Sequence, residues 1–170
     1  MIKHHESKKL GTFDYDNEEF EIVELNDGIS YIHYIGKGGS VNLPKGCINT
    51  SYMFAFCDLP KRFTLSNDFD TSEVEYMTSM FAYTPLPENF SLGDKFDTSK
   101  VKYMDEMFFN SEVSEKFTLG DKFDISNVED MCGMFRNCRV PRNFSEKIKF
   151  NIPKNTMHSL YDAYIFKEDK

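Results

Sequence analysis

The stretch FDTSKVKYMDEMF, residues 96–108, decides how this 170-residue chain is read. Twenty-seven residues earlier, 69–81 reads FDTSEVEYMTSMF, and twenty-seven residues later, 123–135 reads FDISNVEDMCGMF. Self-similarity at a fixed period of this length marks a repeat array, in which each unit buries its apolar face only against its neighbours. The frame gives coils at 69–95, 96–122 and 123–149. Extended backwards it gives 42–68, where NLPKGCINTSYMF replaces the phrase; extended forwards it gives a truncated coil that opens FNIPKNTMHSLYDAY at 150.

Apolar positions recur in register. Phe69, Phe96 and Phe123 open the coils, and Val74, Val101 and Val128 follow. Met77, Met104 and Met131 come next, then the pairs Met53-Phe54, Met80-Phe81, Met107-Phe108 and Met134-Phe135. Within a coil the local period changes. RFTLS, NFSLG and KFTLG alternate apolar and polar, as a strand with one inward face does. Met77, Met80 and Phe81 fall at helical spacing, and Pro60, Pro87 and Pro141 stand where a short helix would stop. The expected fold class is therefore α/β, a short right-handed strand-plus-helix solenoid.

The ends of such an array need caps, because an open end exposes a sheet edge and an apolar face. EEFEIVEL and ISYIHYIG flank Asn26-Asp27-Gly28, which predicts a β-hairpin with a primed turn. SLYDAYIF at the other end predicts a capping helix. The expected organisation is a flexible N-terminus over 1–11, a capping hairpin over 12–41, four repeats over 42–149, and a degenerate repeat with a C-terminal cap over 150–170.

The phrase FDTSxVxxMxxMF, recurring at one period over about residues 42–160, resembles the BspA-like leucine-rich-repeat family of bacterial, mycoplasmal and phage proteins. The resemblance implies a solenoid of leucine-rich-repeat type and a role in protein binding or adhesion. It brings no catalytic motif, so no enzyme activity is expected.

The formal net charge is −8. Seven acidic residues stand in 11–27 with no basic one, including Asp14, Asp16, Glu18, Glu19 and Glu21. A chain without a basic footprint is a poor nucleic-acid binder. A protein partner with a basic surface is compatible with it. No apolar run approaches the ~20 residues of a membrane span, and the N-terminus lacks the apolar core of a secretory signal. A cytoplasmic monomer is expected, with no cofactor and no membrane contact.

Cys47, Cys57, Cys132 and Cys138 show no C-x-x-C spacing. Cys57 and Cys138 share a phase three coils apart, roughly 14 Å if coils stack at the spacing of strands, which is too far for a disulfide. All four are expected to be buried or half-buried free thiols. His4, His5, His33 and His158 form no metal-ligand spacing. Asp70, Asp97 and Asp124, each followed two residues on by serine, read as Asx-turns rather than as a calcium ladder. GKGG at 36–39 reads as a turn, since it lacks the Walker spacing.

Two outward features are candidate binding surfaces. Tyr76 and Tyr103 occupy equivalent positions on adjacent coils, flanked by Glu73 and Glu75 on one and Lys100 and Lys102 on the next. Thr64, Ser91, Thr118 and Ser145, flanked by Arg62, Asn89, Lys116 and Asn143, form a polar strand face. The expected function is a non-catalytic protein–protein interaction module. The alternative is an acidic inhibitor from a phage or mobile element, whose residues 14–27 imitate phosphates in a host defence enzyme. Surface adhesion is a third.

Overall fold

The computed structural model describes residues 8–26 and 28–144, together with the backbone of Ile165 and Phe166. Its elements are β1 (Lys8–Tyr15), β2 (Glu18–Glu24), β3 (Ser30–Tyr34), β4 (Ser40–Val41), β5 (Thr64–Leu65), β6 (Arg139–Val140) and β7 (Ile165–Phe166). Strands β1, β2 and β3 form an antiparallel sheet in that order; β4 pairs β5 and β6 pairs β7, both parallel.

The N-terminal cap is thus larger than the expected hairpin. Residues 8–11, assigned to a flexible terminus, are strand. Asp16 and Asn17 join β1 to β2 with φ of 53° and 65°. Two consecutive left-handed residues give the two-residue turn whose twist matches the strands it joins. The β2–β3 connection is not of that kind. Leu25 N–H donates to Ile29 O (3.1 Å) and Gly28 N–H to Leu25 O (2.9 Å), and Gly28 takes φ 75°.

After the cap the chain winds in coils that stack in register. Asn49, Tyr76, Tyr103 and Asp130 form one column of parallel bridges, and Pro85, Glu112 and Arg139 another. Two columns of phenylalanine fill the interior. Phe54, Phe81, Phe108 and Phe135 stack face to face, with centroids 5.2, 5.5 and 5.0 Å apart. Phe63, Phe90, Phe117 and Phe144 meet them edge-on at 5.4, 5.5, 5.5 and 4.9 Å. Offset and edge-on pairs of this kind add about 0.5–1.5 kcal/mol beyond the area they bury. Met77, Met80, Val74, Met104, Met107 and Val101 close the core around them, all fully buried.

The helix expected in each coil is absent from the described residues of 50–56, 77–83, 104–110 and 131–137, and with it the α/β strand-plus-helix solenoid: every element given above is a strand. The reason lies in the backbone. Ser79 and Tyr83 take φ of 54° and 57°, and so do their counterparts Tyr52, Glu106 and Gly133, and Phe56, Asn110 and Asn137. A left-handed residue at every fourth position ends any helix. Alternate N–H groups then leave the coil. Ser79, Phe81 and Tyr83 donate to Asp105 O, Met107 O and Phe109 O of the next coil at 2.8–2.9 Å, while Met80 and Ala82 donate to Met77 O and Ser79 O within the turn. The segment is a run of turns that also serves as a ladder. Removing the left-handed strain should stabilise it. Glu106→Gly is expected to raise stability by a few tenths to about 1 kcal/mol, since glycine escapes the ~1–2 kcal/mol cost of the left-handed region but loses chain entropy on folding. Urea unfolding would measure it, and a loss of stability would contradict this account.

The strands expected at RFTLS, NFSLG and KFTLG are also mostly missing. Phe63, Leu65, Phe90, Leu92, Phe117 and Leu119 do point inward. Yet only Thr64–Leu65 forms a ladder, with β4, and the N–H groups of Phe63, Phe90 and Phe117 alike are spent on turns to Pro60 O, Pro87 O and Ser114 O. Ile165–Phe166 pairs with Arg139–Val140 as strand, where the capping helix was expected to end. The rest of SLYDAYIF lies outside the described residues.

The cap completes the first coil. In the second coil, Met80 O and Ala82 O accept from the coil before it, through Phe54 and Phe56. Their first-coil counterparts, Met53 O and Ala55 O, have no such coil above them. Tyr34 N–H donates to Met53 O (2.8 Å) and His33 Nε2 to Ala55 O (2.8 Å). Strand β3 and one imidazole therefore supply the donors of the missing coil.

Candidate protein-interaction surfaces

The repeated aspartates behave as the Asx-turn reading predicts. Ser72, Ser99 and Ser126 N–H donate to Oδ1 of Asp70, Asp97 and Asp124 at 2.9–3.0 Å. The serine hydroxyl with its N–H at Asp97 and Asp124, and the serine N–H with its hydroxyl at Asp70, hold all three carboxyls below the usual aspartate range. Between coils a hydroxyl does the joining. Thr71 Oγ1 donates to Asp97 O and accepts from Asp97 N–H, both at 2.8 Å, and Thr98 does the same with Asp124 at 2.7 Å. Ile125 stands at the next such position without a hydroxyl. No group of His, Cys, Asp or Glu that would hold a metal ion occurs among the described residues.

The Tyr76–Tyr103 strip is a packed ladder. The rings lie 5.5 Å apart at 7°, so each covers a face of the other, and both side chains are half-buried. Tyr103 Oη donates to Glu129 Oε2 at 3.0 Å. The flanking charges are matched across the coils. Lys100 Nζ meets Glu73 Oε1 and Lys102 Nζ meets Glu75 Oε2, each at 2.7 Å. The change of sign from Glu73 and Glu75 to Lys100 and Lys102 is an interaction between neighbouring coils.

The acidic run divides. Glu18 turns inward. Its Oε2 accepts from Tyr34 Oη (2.8 Å) and Gly38 N–H (3.3 Å), and only 8% of the residue is exposed. The GKGG turn wraps this carboxylate so closely that a Cβ at Gly36 or Gly38 would overlap it. Burial and the neighbouring carboxylate push the Tyr34 hydroxyl well above its usual range. Glu21 meets Lys9 Nζ at 3.2 Å and His33 Nδ1 at 3.0 Å. Asp14, Asp16 and Glu19 stay exposed around the β1–β2 turn, with Asn42 Nδ2 donating to Asp16 Oδ2 at 3.4 Å.

The structure also gathers groups the sequence reading kept apart. Cys57 Sγ lies 3.8 Å from His33 Nε2, and His33 Nδ1 reaches Glu21. His33 and Cys57 border a groove of about 700 Å³ between β3 and the exit of the first coil, lined also by Lys37, Asp58 and Lys61. The order thiol–imidazole–carboxylate is that of a nucleophile with its base. Its details are not. His33 Nε2 is engaged by Ala55 O at 2.8 Å, and burial, with the Glu21 charge, pushes the thiol up to about 12. The trio joins cap to coil and keeps sulfur in the unreactive thiol form. The spacing of Cys132 and His158 carries no sign of such a pair, and His158 lies outside the described residues, as do His4 and His5. Cys132 is exposed, against the expectation that every thiol is at least half-buried, although Ser51, Thr78 and Asp105 at the same phase of the other coils are buried or half-buried. Cys138 is buried, and Cys47 and Cys57 are half-buried.

The polar row survives as an open surface. Thr64, Ser91 and Thr118 are exposed, as are Arg62, Asn89, Lys116 and Asn143; Ser145 lies outside the described residues. Lys116 Nζ donates to Asn89 Oδ1 at 2.9 Å. Beside this row Ser91, Gly93, Asp94, Thr118, Asp121 and Lys122 line a shallow groove of about 380 Å³ between the second and third coils.

Among the described residues no helix is long and apolar enough to cross a membrane. A family model described as Mycoplasma protein of unknown function, DUF285, matches residues 48–169. No curated protein matches the chain. No solved structure does either.

Proposed function

The chain belongs to the Mycoplasma family of unknown function DUF285, and from that premise we propose that it is a non-catalytic protein–protein interaction module of BspA-like kind, binding through the polar row of its coils. The observation that carries this reading is a division of labour among outward side chains. On the tyrosine side they are engaged with one another, coil to coil. On the row Arg62, Asn89, Lys116 and Asn143, where Lys116 also reaches back to Asn89 and Glu88 of the preceding coil, the residue changes in kind from coil to coil while Phe63, Phe90, Phe117 and Phe144 beneath it stay the same. A rigid stack with a variable exposed row is the form in which repeat proteins present binding surfaces.

Affinity capture with nuclease treatment tests it, using the chain and the variant Arg62→Glu/Lys116→Glu as baits. One dominant protein held by the first and lost by the second is the expected result. Equal capture by both would overturn the assignment of the row.

The acidic-inhibitor reading is favoured by one feature, the exposed carboxylates Asp14, Asp16 and Glu19 at a single turn. Glu18 and Glu21 are engaged internally, so reversing them would disturb the cap. Reversal of Asp14, Asp16 and Glu19 is the informative change. If a captured nucleic-acid enzyme binds this variant as tightly as the unaltered chain, that reading fails.

A further inference from the structure

We propose that β1 is a self-complementary edge, and that two copies of the chain join through it into a continuous six-stranded antiparallel sheet. Strand β1 is the outer member of its sheet, with no further strand beside it among the described residues. An unpaired edge presents a row of N–H and C=O groups to a partner strand. Its side chains specify which partner.

The β1–β2 register shifts between Lys9 and Gly11, leaving Leu10 as an extra residue that is 46% exposed. Lys9 therefore lies opposite Val23, Thr12 opposite Glu21, and Asp14 opposite Glu19. Opposed residues share a face and successive residues alternate, so Lys9, Thr12 and Asp14 all stand on one face. Without the bulge Lys9 and Asp14 would stand on opposite faces. With it, a two-fold axis through Thr12 sets Lys9 of each copy against Asp14 of the other, and Gly11 against Phe13. Threonine pairs, opposite charges, and an aromatic ring across from a bare glycine are favourable cross-strand combinations.

The single chain also leaves a conflict that this pairing relieves. Asp14 faces Glu19 directly, and like charges so opposed are destabilising. A second Lys9 arrives beside them. Bulges and edge lysines normally discourage pairing; here they discourage strands of other sequence and favour this one.

Sedimentation of the full chain from low micromolar to several hundred micromolar tests the proposal. A reversible dimer is expected. Lys9→Asp and Asp14→Lys should each raise its Kd by about tenfold or more, because each sets like charges across the axis. Mixed together, the two variants should associate, since every carboxylate of the first then meets an ammonium of the second across the axis. Thr12→Lys, an exposed position that supports no core contact, should give monomer, and circular dichroism would verify that it folds. A monomer throughout, a dimer indifferent to these changes, or variants that fail to associate when mixed would each overturn the proposal.

Discussion

Phe108→Ala is expected to destabilise the protein by about 3–5 kcal/mol, the usual cost of removing a fully buried phenylalanine. Phe108 has no exposed surface and is held on three sides, by Phe81 at 5.5 Å, Phe135 at 5.0 Å and Phe117 at 5.5 Å. Rings above and below are fixed by their own coils, so the space cannot collapse without breaking the inter-coil bonds. Marginal stability of about 5–15 kcal/mol is typical of a domain, so a loss of this size removes a large share. Chemical denaturation of the variant measures it. A loss under about 1 kcal/mol would mean that the column relaxes around the gap, contrary to the packing described.

The second large effect is expected at the glycine turn. Gly38→Ala should cost about 1–3 kcal/mol, since the new methyl displaces Glu18 from Tyr34 Oη and the Gly38 N–H and leaves a buried acceptor poorly satisfied. Glycine is required here by space, as the overlap of a Cβ with the carboxylate shows. The diagnostic measurement is a double-mutant cycle. In a Glu18→Ala background the same change should be nearly neutral. If Gly38→Ala costs the same in both backgrounds, the turn does not act through Glu18.

Acid should weaken the fold in a definite window. Burial pushes the Glu21 carboxyl up, but hydrogen bonds and charge from His33 and Lys9 outweigh it and leave it lowered. Asp70, Asp97 and Asp124 are lowered by their turns. A carboxyl whose folded value lies below its unfolded one stabilises above the ordinary carboxylate range and ceases to do so as pH falls through the folded value. Asp105, raised by burial and by Asp130, acts in the opposite sense. The melting temperature should hold level from neutrality to about pH 5 and fall below about pH 4. Asp97→Asn, which keeps the turn acceptor without the charge, should soften that fall. A melting temperature that rises on acidification would refute the sign.

The period was legible because inward positions repeat almost unchanged, and stacked phenylalanines need their own copies above and below. The helix was misread because Met77, Met80 and Phe81 bury in the same order along a run of turns as along a helix. A signal did exist. Gly133, Asn110 and Asn137 fall at the two phases that turn out left-handed, and glycine and asparagine are the residues that enter that region most readily. Ser79, Tyr83 and Glu106 at the same phases conceal it. The candidate surfaces were harder to read. Charge reversal at a spacing of one coil is the mark of a vertical ion pair, visible only once the coils are known to stack in register. Nothing in EEFEI distinguishes Glu18, which turns inward, from Glu19, which does not, until strand phase is fixed by Phe20.

The direction of the inter-coil bonds has a consequence for how the chain is made. In the segment that bonds coil to coil, N–H groups point towards the C-terminal neighbour and carbonyls towards the N-terminal one. A ribosome releases the cap before the coils, and each finished coil then offers the emerging one a row of donors. Folding can follow synthesis in a single direction, with every new stretch of 27 residues docking onto a template already complete. At each step the newest coil presents its open donors to the next stretch of chain, and the cap is made before any coil is there to guide it.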